Sequence, residues 1–337
     1  MQKMQFMKTK ILYRFVPIIA LAAIVFACNK SNNSTPAAGQ SDADLQTQSD
    51  DQTRVSNEND AVINDVNATL SGQPGVTGAS VKPAPGYQLG IATLGTHDTI
   101  ASLVCDAVVT MDTTANPYKI TISYNGSTKC ASTRTRTGTV VISFPAGQKW
   151  HDAGAKVTVS IQNLKITRLI DNKSITLNGT HLYTNVTGGA LLNLPNLPNG
   201  ITHTVTSDDM SITFDNGSQR TWHVARQRHY SYSNGLVIST TGTHTDGSTT
   251  GIAEWGTNRF GNTFVTAITQ PLVITQACSL RLTAGEVKLI RPELTTTVTF
   301  GLDATGAATS CPGTGSYYFK LVWVGAAGKT YTFILPY

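Results

Sequence analysis

Charge is what this sequence has least of. Of 337 residues only 13% are Asp, Glu, Lys or Arg, four of them glutamates (Glu58, Glu254, Glu286 and Glu293), and 7% are aromatic. Soluble chains typically carry roughly a quarter charged residues, so a disordered polyelectrolyte and a charged helical rod are excluded, as is a collagen-like fibre, for which 29 glycines are too few. Catalytic motifs are missing too: there is no G-x-S-x-G elbow, H-E-x-x-H, P-loop or dinucleotide-binding glycine pattern. The cysteines form no C-x-x-C and have no closely spaced histidine. No cofactor and no metal is therefore expected. What is abundant is threonine, about one residue in seven, together with glycine. That β-branched, turn-rich bias favours strands over helices.

The basic balance of the whole chain comes from its first residues. Lys3, Lys8, Lys10 and Arg14 precede an apolar run from Phe15 to Ala27 that ends in Val25-Phe26-Ala27-Cys28. A charged region, a short apolar region and small residues before a cleavage point are the pattern of a secretory signal. The run is shorter than the roughly twenty residues a membrane-spanning helix needs. Val, Ala and Cys stand where a bacterial lipobox has them, so residues 1–27 are read as a lipoprotein signal peptide and Cys28 as the lipidated residue. Removing residues 1–27 takes away four basic and no acidic residues and lowers the formal charge from +5 to +1. Nucleic acid is then a poor partner, since it calls for a concentrated Lys/Arg surface.

Residues 28–53, rich in Asn, Ser, Gln, Ala and Asp, read as a disordered tether. As a flexible coil, about 25 residues span roughly 25–30 Å. Val55, Val62, Val66 and Leu70 then recur at helical spacing and predict an amphipathic helix over 54–72, docked by one face on a sheet.

The remainder reads as an all-β antiparallel meander of about fourteen strands. Asn-Gly at 125–126, 178–179, 199–200, 216–217 and 234–235 and Asp-Gly at 246–247 mark tight turns between alternating runs such as Val157/Val159/Ile161 and Phe319/Leu321/Trp323. The proline-bearing stretch Leu191–Gly200 separates an N-terminal lobe, 88–190, from a C-terminal lobe, 201–337. The strands form either one curved sheet or packed sandwiches. Cys105, Cys130, Cys278 and Cys311 are an even set in an exported chain, the setting for disulfides. Three pairings are possible; Cys105 with Cys130 and Cys278 with Cys311 are favoured, because each pair brackets a similar strand-turn-strand segment.

Asn57-Glu-Asn-Asp60 with Asn64-Asp65, Arg136–Phe144 leading to Trp150–Val157, Gly179-Thr180, Arg220-Thr-Trp222 and the stretch from Gly251 to Cys278 together resemble a family of β-rich Bacteroidota envelope lipoproteins with no assigned activity. The resemblance spans most of the mature chain. It implies an outer-membrane location and brings no catalytic residues; the leaflet stays open between cell surface and periplasmic face.

Three kinds of site can be drawn from these residues. Carboxylate pairs of the glycosidase kind can be drawn from Asp208 or Asp209 with Asp215, or Glu254 with Asp246, but their spacing selects none, so catalytic residues stay unassigned. His223, His229, His203 and His244 would approach a shared site only if strand register brought them together. The best binding candidate is the strand 220–232, whose alternation places Trp222, Arg226, Arg228, Tyr230 and Tyr232 on one face. Aromatic surfaces and planar donors suit a sugar or an anionic polymer. The alternative is that Trp222 and Val224 are core and the arginines reach past its edge. The sequence thus points to a membrane-anchored binding or structural module with a glycan or protein partner, with a polysaccharide hydrolase as the second reading.

Overall fold

The computed structural model describes residues 42–71, 104, 106–114, 116–127, 133–278, 280–292, 294–311, 315–324 and 329–337. One helix, α1 (Asp42–Ser71), precedes fifteen strands. These are β1 (Ala107–Asp112), β2 (Tyr118–Asn125), β3 (Arg134–Phe144), β4 (Ala155–Arg168), β5 (Ser174–Asn185), β6 (Ile201–Phe214), β7 (Gln219–Tyr232) and β8 (Leu236–Gly242). They continue with β9 (His244–Asp246), β10 (Thr249–Thr257), β11 (Thr263–Thr275), β12 (Arg281–Arg291), β13 (Leu294–Leu302), β14 (Tyr318–Val324) and β15 (Thr330–Pro336).

All belong to a single sheet in the order β1 to β7, then β10 to β15, with each paired neighbour antiparallel. β8 pairs with β7 and β11, and β9 pairs with β10. The sheet is therefore one layer, and the two lobes read from the sequence are parts of it. The stretch thought to separate them is a short 3₁₀ helix at Leu191–Asn196 linking β5 and β6, which are themselves hydrogen-bonded neighbours.

Turn chemistry explains most of the meander. Asn234 and Gly235, both at positive φ (52° and 136°), turn β7 back into β8. Asn178-Gly179 is different: it lies inside β5, opposite an extra residue on β4 and another on β6, and so faces a bulge on each neighbour and is not a hairpin. A Cβ on Gly179 would stand 2.7 Å from Met210 Sδ and 2.9 Å from the Asp209 carbonyl oxygen, so only glycine lets β5 and β6 approach here.

Alternation sorts each strand into an inner and an outer face. β4 buries Val157, Val159 and Ile161 and exposes Lys156 and Thr158 between them. The inner face of β2 to β7 holds α1, whose Val55, Val62, Ile63, Val66 and Leu70 are all at most 1% exposed. The helix begins at Asp42, so residues 42–53, expected as disordered tether, are helical. Their capture is tertiary: Arg259 donates to Asp51 (2.6 Å) and Arg220 to Gln52 (2.7 Å).

Contacts run round most of the helix. Arg54, Glu58 and Asp65 lie within about 40° of one another at 100° per residue, and they meet β4, β3 and β2. Asp60, Asn64 and Asn67 lie about 80–180° round the helix from them and meet β7. A sheet that touches both flanks of one helix must curl around it.

The second half has its own core, with Val298, Phe300, Phe319 and Leu321 at its centre. Tyr337 closes it, its hydroxyl donating to the Leu282 carbonyl (2.6 Å) and accepting from Gly301 N–H (3.0 Å). Cys278 and Cys311 form a disulfide, as favoured from the sequence. Cys105 and Cys130 lie outside the described residues. The bridge joins positions 33 apart, and by loop-closure entropy such a bridge contributes about 3–4 kcal/mol. Removing it with a Cys278→Ser/Cys311→Ser variant is expected to lower the free energy of unfolding by that amount; equal urea midpoints for variant and parent would refute it.

Candidate functional site

The strand selected from the sequence is β7, and alternation holds along it except at Ala225, which is buried between Val224 and Arg226. Arg220, Trp222, Val224, Arg226, Arg228 and Tyr230 all face inward and are buried, while Tyr232, at the strand's end, is 43% exposed. The row thus lies beneath α1 and not on the outside of the sheet.

Each of its polar members meets the helix or a buried carboxylate. Arg226 donates through Nη1 to Asp60 Oδ1 (3.0 Å) and through Nη2 to Glu254 Oε1 (2.6 Å). Arg228 donates through Nη2 to the same Asp60 oxygen (2.6 Å) and through Nη1 to Asn64 (3.4 Å). Tyr230 accepts from Asn67 Nδ2 at 3.1 Å. Arg220 donates to Gln52, lies 3.6 Å from Glu254 Oε2, and spreads its guanidinium over Phe264 and Trp222. α1 thereby occupies the place where a carboxylate ligand would lie. Gly256 makes the close approach of β10 to β7 possible, since a Cβ there would stand 2.2 Å from the Thr221 carbonyl oxygen.

The opposite flank is a second charged cluster. Arg136 grips Asp106 with Nε (2.7 Å) and Nη2 (2.6 Å) and reaches Asp65 with Nη1 (2.7 Å), which also accepts from the Tyr124 hydroxyl at 2.8 Å. Arg134 donates to Glu58 at 2.9 Å. Burial raises the pKa of Glu58 and Asp65 even so, the arginines offsetting only part of the desolvation. Burial also holds Arg220 down to about 10, against the pull of Glu254.

Between β5 and β7 lie two buried imidazoles. His181 Nε2 donates to Asn59 Oδ1 (3.0 Å), and burial, with Arg226 nearby, pushes its pKa down to about 3. His203 sits between the rings of Trp150 (5.1 Å) and Tyr230 (5.0 Å), and burial, with Arg228 nearby, lowers it likewise to about 3.

The remaining sequence candidates are dispersed. His223 and His244 stack on the Trp255 indole at 5.1 and 4.0 Å, and His229 Nδ1 contacts the Thr202 hydroxyl, so His203 alone of the four lies inside. Asp208 is exposed beside His223, Asp209 accepts from Thr180 N–H (2.7 Å) where β6 bulges against β5, and Asp215 sits in the β6–β7 turn. Glu254 is buried under α1 whereas Asp246 is exposed on β9, so this pair does not share a face. Cys28 lies outside the described residues.

The sequence left Asp60, Asn64 and Asn67 unmarked as partners of the row, and Tyr183 and His181 unmarked altogether. The available clue was complementarity: an acidic, amide-rich helix in a chain whose arginines recur at period two on one strand. Comparison with protein-family profiles, with curated proteins and with solved structures gives no match for this chain.

Proposed function

We propose that the chain is a lipid-anchored protein of the outer membrane, held through Cys28, as the resemblance to Bacteroidota envelope lipoproteins implies, and that its β body is a binding or structural module for a glycan or protein partner. The observation that carries this reading is how α1 is used. The described helix that follows the anchor segment in sequence is built into the core of the body, its Val55, Val62, Ile63, Val66 and Leu70 all buried.

The carboxylates support a module over a hydrolase. Each of the four buried carboxylates among the described residues, Asp51, Glu58, Asp106 and Glu254, is ion-paired with an arginine. A carboxylate buried and paired in this way is not presented to a substrate. The binding surface is accordingly assigned to the outer face and to the sheet ends, where Tyr232 and Phe260 are exposed.

Fractionation of cells expressing the wild type and Cys28→Ala tests the anchor. Wild-type protein is expected in the membrane pellet and the variant in the soluble fraction; equal retention of both would sink the lipoprotein reading. Protease added to intact cells then assigns the leaflet, cleavage placing the body outside and protection placing it in the periplasm.

A further inference from the structure

The seam between α1 and β5–β7 contains more buried polar atoms than the protein itself partners. The Tyr183 hydroxyl, both ring nitrogens of His203 and Nδ1 of His181 have no hydrogen-bond partner among the described residues. The same holds for Nε of Arg226 and of Arg228 on the sheet, and for Asn59 Nδ2 and Asn67 Oδ1 on the helix. Tyr183 and His181 are fully buried and His203 is 1% exposed.

The residues that carry these atoms are neighbours on the inner face of β5–β7 and on the helix above it. His181 and Tyr183 are on β5, with rings 5.9 Å apart. His203 on β6 pairs in register with Asn185 on one side and Arg228 on the other. Arg226 pairs with Val205, which in turn pairs with Tyr183. Asn59 and Asn67 reach down from the helix to His181 and Tyr230.

Unpartnered buried groups are rare in folded proteins because each costs its desolvation without return, and buried water is what commonly satisfies a group of them. We propose that this seam is a binding site for a small neutral hydroxylic molecule, water or a polyol, enclosed by α1.

Chemistry selects the class. Were the free groups all donors, an anion would fit. Here acceptors are free as well: His181 donates through Nε2, which leaves Nδ1 as a bare acceptor, and Asn67 donates through Nδ2, which leaves its Oδ1 free. Arg226 and Arg228 each already face a carboxylate, Asp60 for both and Glu254 for Arg226, so neither guanidinium is left open for an anion. A hydroxyl both donates and accepts, and Tyr183, His203 and the two arginine Nε–H groups supply complementary positions around it.

Tyr183→Phe distinguishes an occupied seam from a bare one by sign. With an occupant, removing the hydroxyl deletes one of its hydrogen bonds, and the melting temperature is expected to fall by about 3 °C. In a bare seam the same change removes an unpaired polar group, and the melting temperature rises or stays unchanged, which would overturn the proposal. The source is then identified by denaturing natively purified wild-type protein and weighing what is released. A polyol at one equivalent identifies a solute, and a fall in melting temperature with no solute released identifies water.

Discussion

Acidification from about pH 7.5 to 5.5 is expected to lower the stability of this protein by about 3 kcal/mol, through two histidines. His181 and His203 are held near 3 by burial, against an ordinary value of 6.5. The unfolded chain therefore takes up protons that the native chain refuses. A group whose native pKa is depressed contributes stability that is complete above its unfolded value and is lost as pH falls towards its native value, so the window here runs from about 6.5 down to about 3. At pH 5.5 each histidine forfeits about 1.4 kcal/mol, one pH unit below its unfolded value. Glu58 and Asp65 act in the opposite sense. Burial raises both, so the native state protonates before the unfolded one; that gain falls lower in pH, nearer the ordinary carboxylate range. Urea unfolding at the two pH values measures the difference, and a His181→Gln/His203→Phe variant should flatten it. Equal stability of the wild type at both would contradict the assignment of these imidazoles as buried and neutral.

The β architecture was legible because its signals are local. Alternation in β2, β4 and β14 and the turns at 216–217, 234–235 and 246–247 depend on neighbours in sequence, and the structure reproduces them. Asn178-Gly179 carried the same dipeptide with a different meaning, since what decides it is the approach of Met210 and Asp209 from the next strand. The start of α1 failed for a related reason. Nothing apolar recurs between Asp42 and Thr53, and the groups that hold its lower turns, Arg220 and Arg259, come from residues 168 and 208 positions away.

Alternation also grouped the β7 side chains correctly and could not say which way they point. Cores are ordinarily apolar, so a row with three arginines reads as an outer face. It lies inside because α1 brings Asp60, Gln52, Asn64 and Asn67 to meet it. A polar helix face is normally a solvated one, and here each of the two polar surfaces makes the other's burial tolerable.

That mutual dependence yields the larger test. Asp60 accepts from Arg226 and Arg228 through a single oxygen, and it is the only carboxylate paired with Arg228 among the described residues. Asp60→Ala is expected to destabilise the protein by about 3–5 kcal/mol, because it leaves a buried guanidinium without its counter-charge. Arg168–Asp171 is the internal comparison: it too is a close pair, but about a third of each side chain is exposed, and an exposed pair contributes roughly 0–1 kcal/mol. Asp171→Ala, which loses a bidentate but exposed pair, should therefore cost about 1 kcal/mol in the same urea titration. Adding Arg228→Met to Asp60→Ala should recover part of the loss, since an apolar side chain needs no counter-charge. The double variant separates a missing ion pair from a damaged helix, for if α1 were held by Val55, Val62, Ile63, Val66 and Leu70 alone, Asp60→Ala would cost no more than Asp171→Ala and the second substitution would only add to the damage. The order Asp171→Ala, then the double variant, then Asp60→Ala in increasing cost is what a charge-latched helix requires.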